Sequence, residues 1–149
     1  MDIHSITFRI GSDIPLEQLV NLYNSVNWLA YTTNDQKPRL QDAIQNSSHV
    51  VTAWDGETLV GLARCISDDV SICYLQDILI NPRYQRLGIG RKLLANCLER
   101  FAHVRMQVLI TDDEERQKMF YESMGYRNTK ELKKFPLNAY VKTPGQELE

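Results

Sequence analysis

The chain is short of several things, and each shortage closes off a class of function. Of its 149 residues only three are cysteine, Cys65, Cys73 and Cys97, widely spaced and without a CxxC pair. An odd, scattered set argues against a disulfide framework and against a zinc site, and it suits a reducing compartment. Each stands in an apolar run and reads as a small core hydrophobe. No metal is expected. Basic charge is not in excess either: 17 Lys and Arg against 19 Asp and Glu leave a net charge of −2. Bulk electrostatics therefore recruit neither nucleic acid nor an anionic membrane. No apolar run approaches the roughly 20 residues of a membrane span, and the N-terminus lacks the charged and apolar regions of a signal peptide. These absences point to a cytoplasmic protein. Repeats, low-complexity tracts and linkers are missing too, which leaves one domain over residues 1–149, long enough to bury a core.

What is present alternates between two periods. Ile6 to Ile10 reads as a short strand. In "SDIPLEQLVNLYNSV", Pro15 stands near a helix start and Leu16, Leu19, Val20 and Tyr23 recur at helical spacing. A second short helix is expected in "TTNDQKPRLQDAIQNS", where Leu40 and Ile44 lie four apart. "HVVTAWDGETLVGLARCI" predicts a hairpin, and "ICYLQDILI" a long strand rich in branched and aromatic residues. From Gly88 a helix is expected with Ile89, Leu93, Leu94, Cys97, Leu98 and Phe101 on its apolar side. "MQVLI" reads as a buried strand. Thr111 with Glu114 predicts a capping box for "EERQKMFYESM", and Gly125 sits where a left-handed cap belongs. From Tyr126 to "NAYVK" more strand is expected. The order predicts an α/β fold of the mixed kind: a central sheet, part antiparallel and part parallel, flanked by about four helices.

The basic residues that do occur gather around one turn. "INPRYQRLGIGRKLL" places Arg83, Arg86, Arg91 and Lys92 about Gly88 and Gly90, where strand gives way to helix. A Walker loop does not fit, and a dinucleotide fingerprint lacks its third glycine, with Leu93 in that place. A pyrophosphate held by backbone N–H groups at a helix start does fit, with Arg86 and Arg91 adding charge. A plain glycine-rich connection with a solvated basic face fits as well.

The same stretch resembles the acetyl-CoA-binding segment of the GNAT acetyltransferases, whose signature is [QR]xxGx[GA]; Gln85, Gly88 and Gly90 match it, with Pro82 and Tyr84 upstream. "FYESMGYR" is similar to a second segment of that family. Glu114 and Gln117 depart from it, at positions where the family often has Asn and Ala. "DILINPRYQRLGIG", "GLARCISDD" and "LQDAIQNS" resemble, more loosely, a subgroup with plant chloroplast acetyltransferases acting on arylalkylamines and proteins. The resemblance implies a GNAT-type fold and acetyl transfer from acetyl-CoA to a primary amine, either a small molecule or a protein lysine. It implies cofactor contacts at Ile78, Leu79, Ile80, Gln85, Arg86, Leu87, Gly88, Ile89, Gly90, Arg91, Phe120 and Tyr121, with Tyr121 protonating the leaving thiolate. A non-catalytic acyl-CoA-binding sensor stays open as the alternative.

The remaining chemistry is read from residue types. An alkylamine has a pKa of about 10.4, so its neutral form at pH 7 costs roughly 4.6 kcal/mol. A proton acceptor is needed, and Asp77, a carboxylate among apolar strand neighbours, is the candidate. Trp28 and Tyr31, three apart between the first two helices, are candidates for an amine slot. Asp68 and Asp69 read as solvated turn residues, Arg39 as a surface arginine, and His49 and His103 as structural or exposed. The cysteines are not poised as nucleophiles, which favours direct attack by the amine. A homodimer through the C-terminal strands is left open.

Overall fold

The computed structural model describes residues 2–145. They fall into two compact units, one ending at Ile110 and one beginning at Thr111. The first holds five strands, β1 (Thr7–Ile10), β2 (His49–Asp55), β3 (Thr58–Ser67), β4 (Ile72–Ile80) and β5 (Met106–Leu109), in the spatial order β1-β2-β3-β4-β5. The first three pairings are antiparallel and β4–β5 is parallel, as a β4–helix–β5 crossover requires. The expected mixed sheet is therefore what the chain forms.

Three helices cover this sheet: α1 (Leu16–Ser25), α2 (Lys37–Gln45) and α3 (Ile89–Arg100). On one face Leu19, Val20, Leu22, Tyr23, Leu40 and Ile44 pack onto Val50, Trp54, Leu59, Leu62 and Leu79. Strand alternation turns Ala53, Gly61 and Ala63 to the other face, where α3 lies close. A Cβ built on Gly61 would stand 3.3 Å from both Ile89 Cγ2 and Leu93 Cδ1. The missing side chain at Gly61 thus lets α3 lie down on the sheet, and it fixes where the start of α3 projects. The β3–β4 register slips between Arg64 and Cys65: Arg64 faces Asp77 while Cys65 faces Leu75. Gln76 is the extra residue of that bulge, and it re-aims everything after it on β4.

The second unit carries α4 (Glu115–Ser123), closed by Gly125 at φ +97°. Gly125 N–H donates to Glu122 C=O and Tyr126 N–H to Tyr121 C=O, the paired bonds of a Schellman ending. Three expectations need correction. The capping box does not form, because α4 starts with Glu114 itself as the capping residue, without a side-chain bond. "MQVLI" is not buried: β5 is an edge strand with partly exposed side chains. From Tyr126 to Gly145 no strand forms; a single 3₁₀ turn at Thr129–Glu131 and irregular chain take its place, with Tyr140 and Val141 exposed.

Candidate active site

The pairing of β4 with β5 ends at Leu75 and Leu109, but β4 runs on to Ile80. Among the described residues no other strand takes up the edge so released. Main-chain polar groups alternate sides along a strand. Asn81 donates its N–H to Val60 C=O on β3, so Leu79 also faces β3, while Ile78 and Ile80 turn theirs to the open edge. Of Ile78, Leu79 and Ile80, two thus direct main-chain groups to the open edge. Leu79 instead buries its side chain beneath α1 and α2.

Beyond Ile80 the chain is braced before it reaches α3. Asn81 caps a 3₁₀ turn at Pro82–Tyr84 by accepting from Arg83 N–H. The Tyr84 hydroxyl donates to Asp55 Oδ2 at 2.7 Å, which ties the turn to the end of β2. Gln85 Nε2 donates to Ile80 C=O at 3.3 Å, folding the loop back on the open edge. Arg86 (φ +67°) and Gly88 (φ +86°) are both left-handed. Residues of alternating backbone hand make successive N–H groups converge into a concavity. The amides of Arg86, Leu87, Gly88, Ile89 and Gly90 donate to nothing among the described residues. Five consecutive uncommitted donors thus lead into a 12-residue helix whose own dipole favours an anion at this end. Arg83, Arg86, Arg91 and Lys92 are exposed around them. A diphosphate fits this cradle on the chemistry of its donors.

On the α1/α2 face, one residue before Ile78, Asp77 Oδ2 accepts from Arg64 Nε at 2.7 Å and from the Tyr23 hydroxyl at 2.8 Å. The expected setting, a carboxylate with apolar neighbours alone, is corrected by this pairing. Both charged side chains are close to buried, with exposures of 12% and 14%. Burial first, then the Asp77 charge, pushes the Tyr23 phenol far above its ordinary range. Burial opposes the charge on Arg64, and Asp77 more than restores it. Arg64 Nη1 also reaches Ala43 C=O and Ser47 Oγ at the end of α2. The ring of Tyr23 lies 6.1 Å from that of Trp28. Trp28 and Tyr31 are both nearly half exposed, and Arg39 stacks over Tyr31. Sequence reasoning read Tyr23 only as part of the helical spacing of α1 and passed over Arg64. Composition gave one hint, a single charged residue in each of the two strands, but not that the two face one another.

In the second unit, Phe120 and Tyr126 set their rings edge-on to Tyr121. Burial raises the Tyr121 pKa, and a hydrogen bond with Thr111 pulls against it. The other singled-out groups are structural. His49 is buried against Asn96 Oδ1 at 2.8 Å and Phe101. Asp69 receives Arg100 and His103 at the protein surface. The three cysteines are buried free thiols. A separate concavity of about 350 Å³ opens at the β1 edge, lined by Arg9, Asp13, Glu17, Trp54 and Glu57.

An opened strand edge that leads into a cradle of amide donors defines a site suited to an anionic ligand. The comparisons specify it: a family model described as an acetyltransferase (GNAT) domain matches residues 23–136, so the chain belongs to the GNAT acetyltransferase family. It is 27% identical to an uncharacterized ycf52-like N-acetyltransferase of Prochlorococcus marinus, over 84% of this chain and 69% of that protein. It is 28% identical to the chloroplastic GCN5-related N-acetyltransferase 2 of Arabidopsis thaliana, over 62% of this chain and 42% of that protein. Among solved structures, a GNAT family acetyltransferase from Streptococcus pneumoniae superposes with a TM-score of 0.79 at 30% identity, covering 95% of this chain and 99% of that one. Membership implies acetyl transfer.

Proposed function

We propose that the protein transfers the acetyl group of acetyl-CoA to a primary amine by direct attack, the whole chain serving as one catalytic domain. The observation that carries this reading is the run of uncommitted amides from Arg86 to Gly90, beside an opened β4 edge. Those amides hold the diphosphate of the coenzyme, with Arg86 and Arg91 adding charge. Ile78 and Ile80 direct main-chain groups along the edge where the thioester lies. A preorganised N–H donor there polarises the carbonyl and is a large catalytic term. The amine nitrogen forms its bond to the acetyl carbon, and the C–S bond breaks. The amine proton leaves toward Asp77 or water, and the thiolate takes a proton from Tyr121. A phenol kept protonated by burial suits that donor role. Phe120 packs beside Tyr121 at the cofactor, and Trp28 and Tyr31 wall the amine slot. The acceptor is a small amine or a protein lysine.

Calorimetric titration with acetyl-CoA, together with release of free CoA thiol in the presence of an amine panel, tests this. Micromolar binding and amine-dependent thiol release are expected. Binding without release under any amine identifies an acyl-CoA-binding module instead, and absence of heat at millimolar ligand ends both readings.

A further inference from the structure

The contacts of Asp77 are lopsided. Both of its hydrogen bonds fall on Oδ2, and among the described residues Oδ1 accepts none. The bulge at Gln76 makes this possible, because it brings Asp77 directly opposite Arg64 across the strand pair. Arg64 is itself fixed at a second point, on Ala43 C=O and Ser47 Oγ at the end of α2. Tyr23 comes from α1 and packs against Trp28. β3 and α1 therefore meet β4 on one carboxylate oxygen, with α2 bracing Arg64 from behind, and the other oxygen stays available one residue before the opened β4 edge.

We propose that Arg64 is a positioning residue for acetyl transfer: with Tyr23 it locks Asp77 by one oxygen and cancels its charge, so that the other oxygen orients the attacking amine in its neutral form. This rests on the function proposed above. An isolated carboxylate would hold the amine as its ammonium ion, which has no lone pair to attack with. A carboxylate paired with a guanidinium still accepts an N–H but contributes little net field. The acceptor class that follows is a neutral-on-binding primary amine with an apolar or aromatic body lying toward Trp28 and Tyr31.

The charged and titratable groups around Asp77 are few. Within this unit β3 supplies Arg64 and α1 supplies Tyr23; α2 offers Arg64 only the uncharged Ala43 carbonyl and Ser47 hydroxyl. β5 (MQVL) carries no titratable side chain, and α3 packs on the opposite face of the sheet.

The test is kcat against pH, from 6 to 10, at saturating acetyl-CoA with a phenylalkylamine, a diamine and a lysine peptide. Arg64→Gln leaves the Asp77 charge uncancelled. Its ascending limb should move alkaline by half a pH unit or more, about a threefold loss at neutral pH, with the acetyl-CoA Kd held within twofold. Arg64→Lys should restore the limb, and Tyr23→Phe should lower kcat without moving it. If Arg64→Gln does not fold, Asp77→Asn decides: it leaves the Arg64 charge alone at the site and should move the limb acid. A limb that stays in place in the charge-changing variants of an active enzyme overturns the inference alone. A wild-type protein that binds no acetyl-CoA, or acetylates no amine of the panel, overturns the proposed reaction and this inference with it.

Discussion

At the scale of single residues, the groups that matter are those whose surroundings set their protonation. Tyr121 is buried between two aromatic rings, and burial lifts its pKa while Thr111 partly restrains it. The phenol therefore stays protonated at neutral pH, as a donor to a departing thiolate must. Tyr121→Phe keeps the ring packing and removes the hydroxyl, with its proton and its hydrogen bond to Thr111. The expected result is a fall in kcat of about 10²-fold with the acetyl-CoA Kd unchanged, measured by single-turnover thiol release. Unchanged single-turnover chemistry would remove Tyr121 from the mechanism. Legibility at this scale was uneven. Tyr121 and Gly88 stand inside contiguous motifs that carry the family resemblance. Arg64 and Tyr23 are not legible in that way, because their partner Asp77 is 13 and 54 residues away in sequence. Only the bulge at Gln76, invisible in composition or period, decides that these side chains meet.

At the scale of elements, local rules succeeded where the chain closes its own bonds. The β2–β3 hairpin, β4 and α3 were readable because alternation or helical spacing coincides with burial on one face. The stretch after Tyr126 is rich in Lys and Asn, holds Pro136, and has no partner strand among the described residues, so its backbone is irregular. The β3–β4 connection offers a prediction of its own. Asp68 accepts from the amides of Val70, Ser71 and Ile72 and from the Ser71 hydroxyl. Those bonds, the Ser71 hydroxyl first, hold its carboxyl well below the usual range. A depressed folded pKa stabilises the turn above the unfolded value of about 3.9, and that stability is lost as pH falls below it toward the folded value. Amide exchange at Val70, Ser71 and Ile72 should therefore accelerate on going from pH 4 to pH 2, after correction for intrinsic rates. In Asp68→Asn the acceleration should vanish. The loop into α3 gives a second prediction. A Cβ at Gly88 would meet only the Ile3 side chain at an ordinary 3.6 Å, so the cost of Gly88→Ala is the left-handed backbone, roughly 1–2 kcal/mol. A melting point lower by about 3–6 °C is expected, with at least tenfold weaker acetyl-CoA binding as the cradle relaxes. Full affinity in this variant would show that the cradle does not need the left-handed turn.

At the scale of the whole molecule, the net charge of −2 sets the character of ligand binding. A polyanionic coenzyme meets a chain whose long-range field is weak and of its own sign. Attraction must then be local, from exposed Arg83, Arg86, Arg91 and Lys92 and from the amide run of α3. These two contributions separate with salt. Exposed charges are screened beyond a Debye length of about 10 Å at 0.1 M salt and about 3 Å at 1 M, whereas short N–H contacts to phosphate oxygens are much less affected. Acetyl-CoA at 100 times its Kd should stabilise the fold by about 2.7 kcal/mol, which for a chain of this size raises the melting point by roughly 5–10 °C. Raising salt from 0.05 to 0.5 M should weaken binding severalfold and leave most of that rise once ligand is restored to the same multiple of Kd. Replacing Arg86 and Arg91 together by Gln should flatten the salt dependence while retaining a measurable rise. If the double replacement abolishes binding at low salt, side-chain charge holds the diphosphate and the amides merely adjoin it. If the rise survives there but disappears in Gly88→Ala, the main chain is the grip.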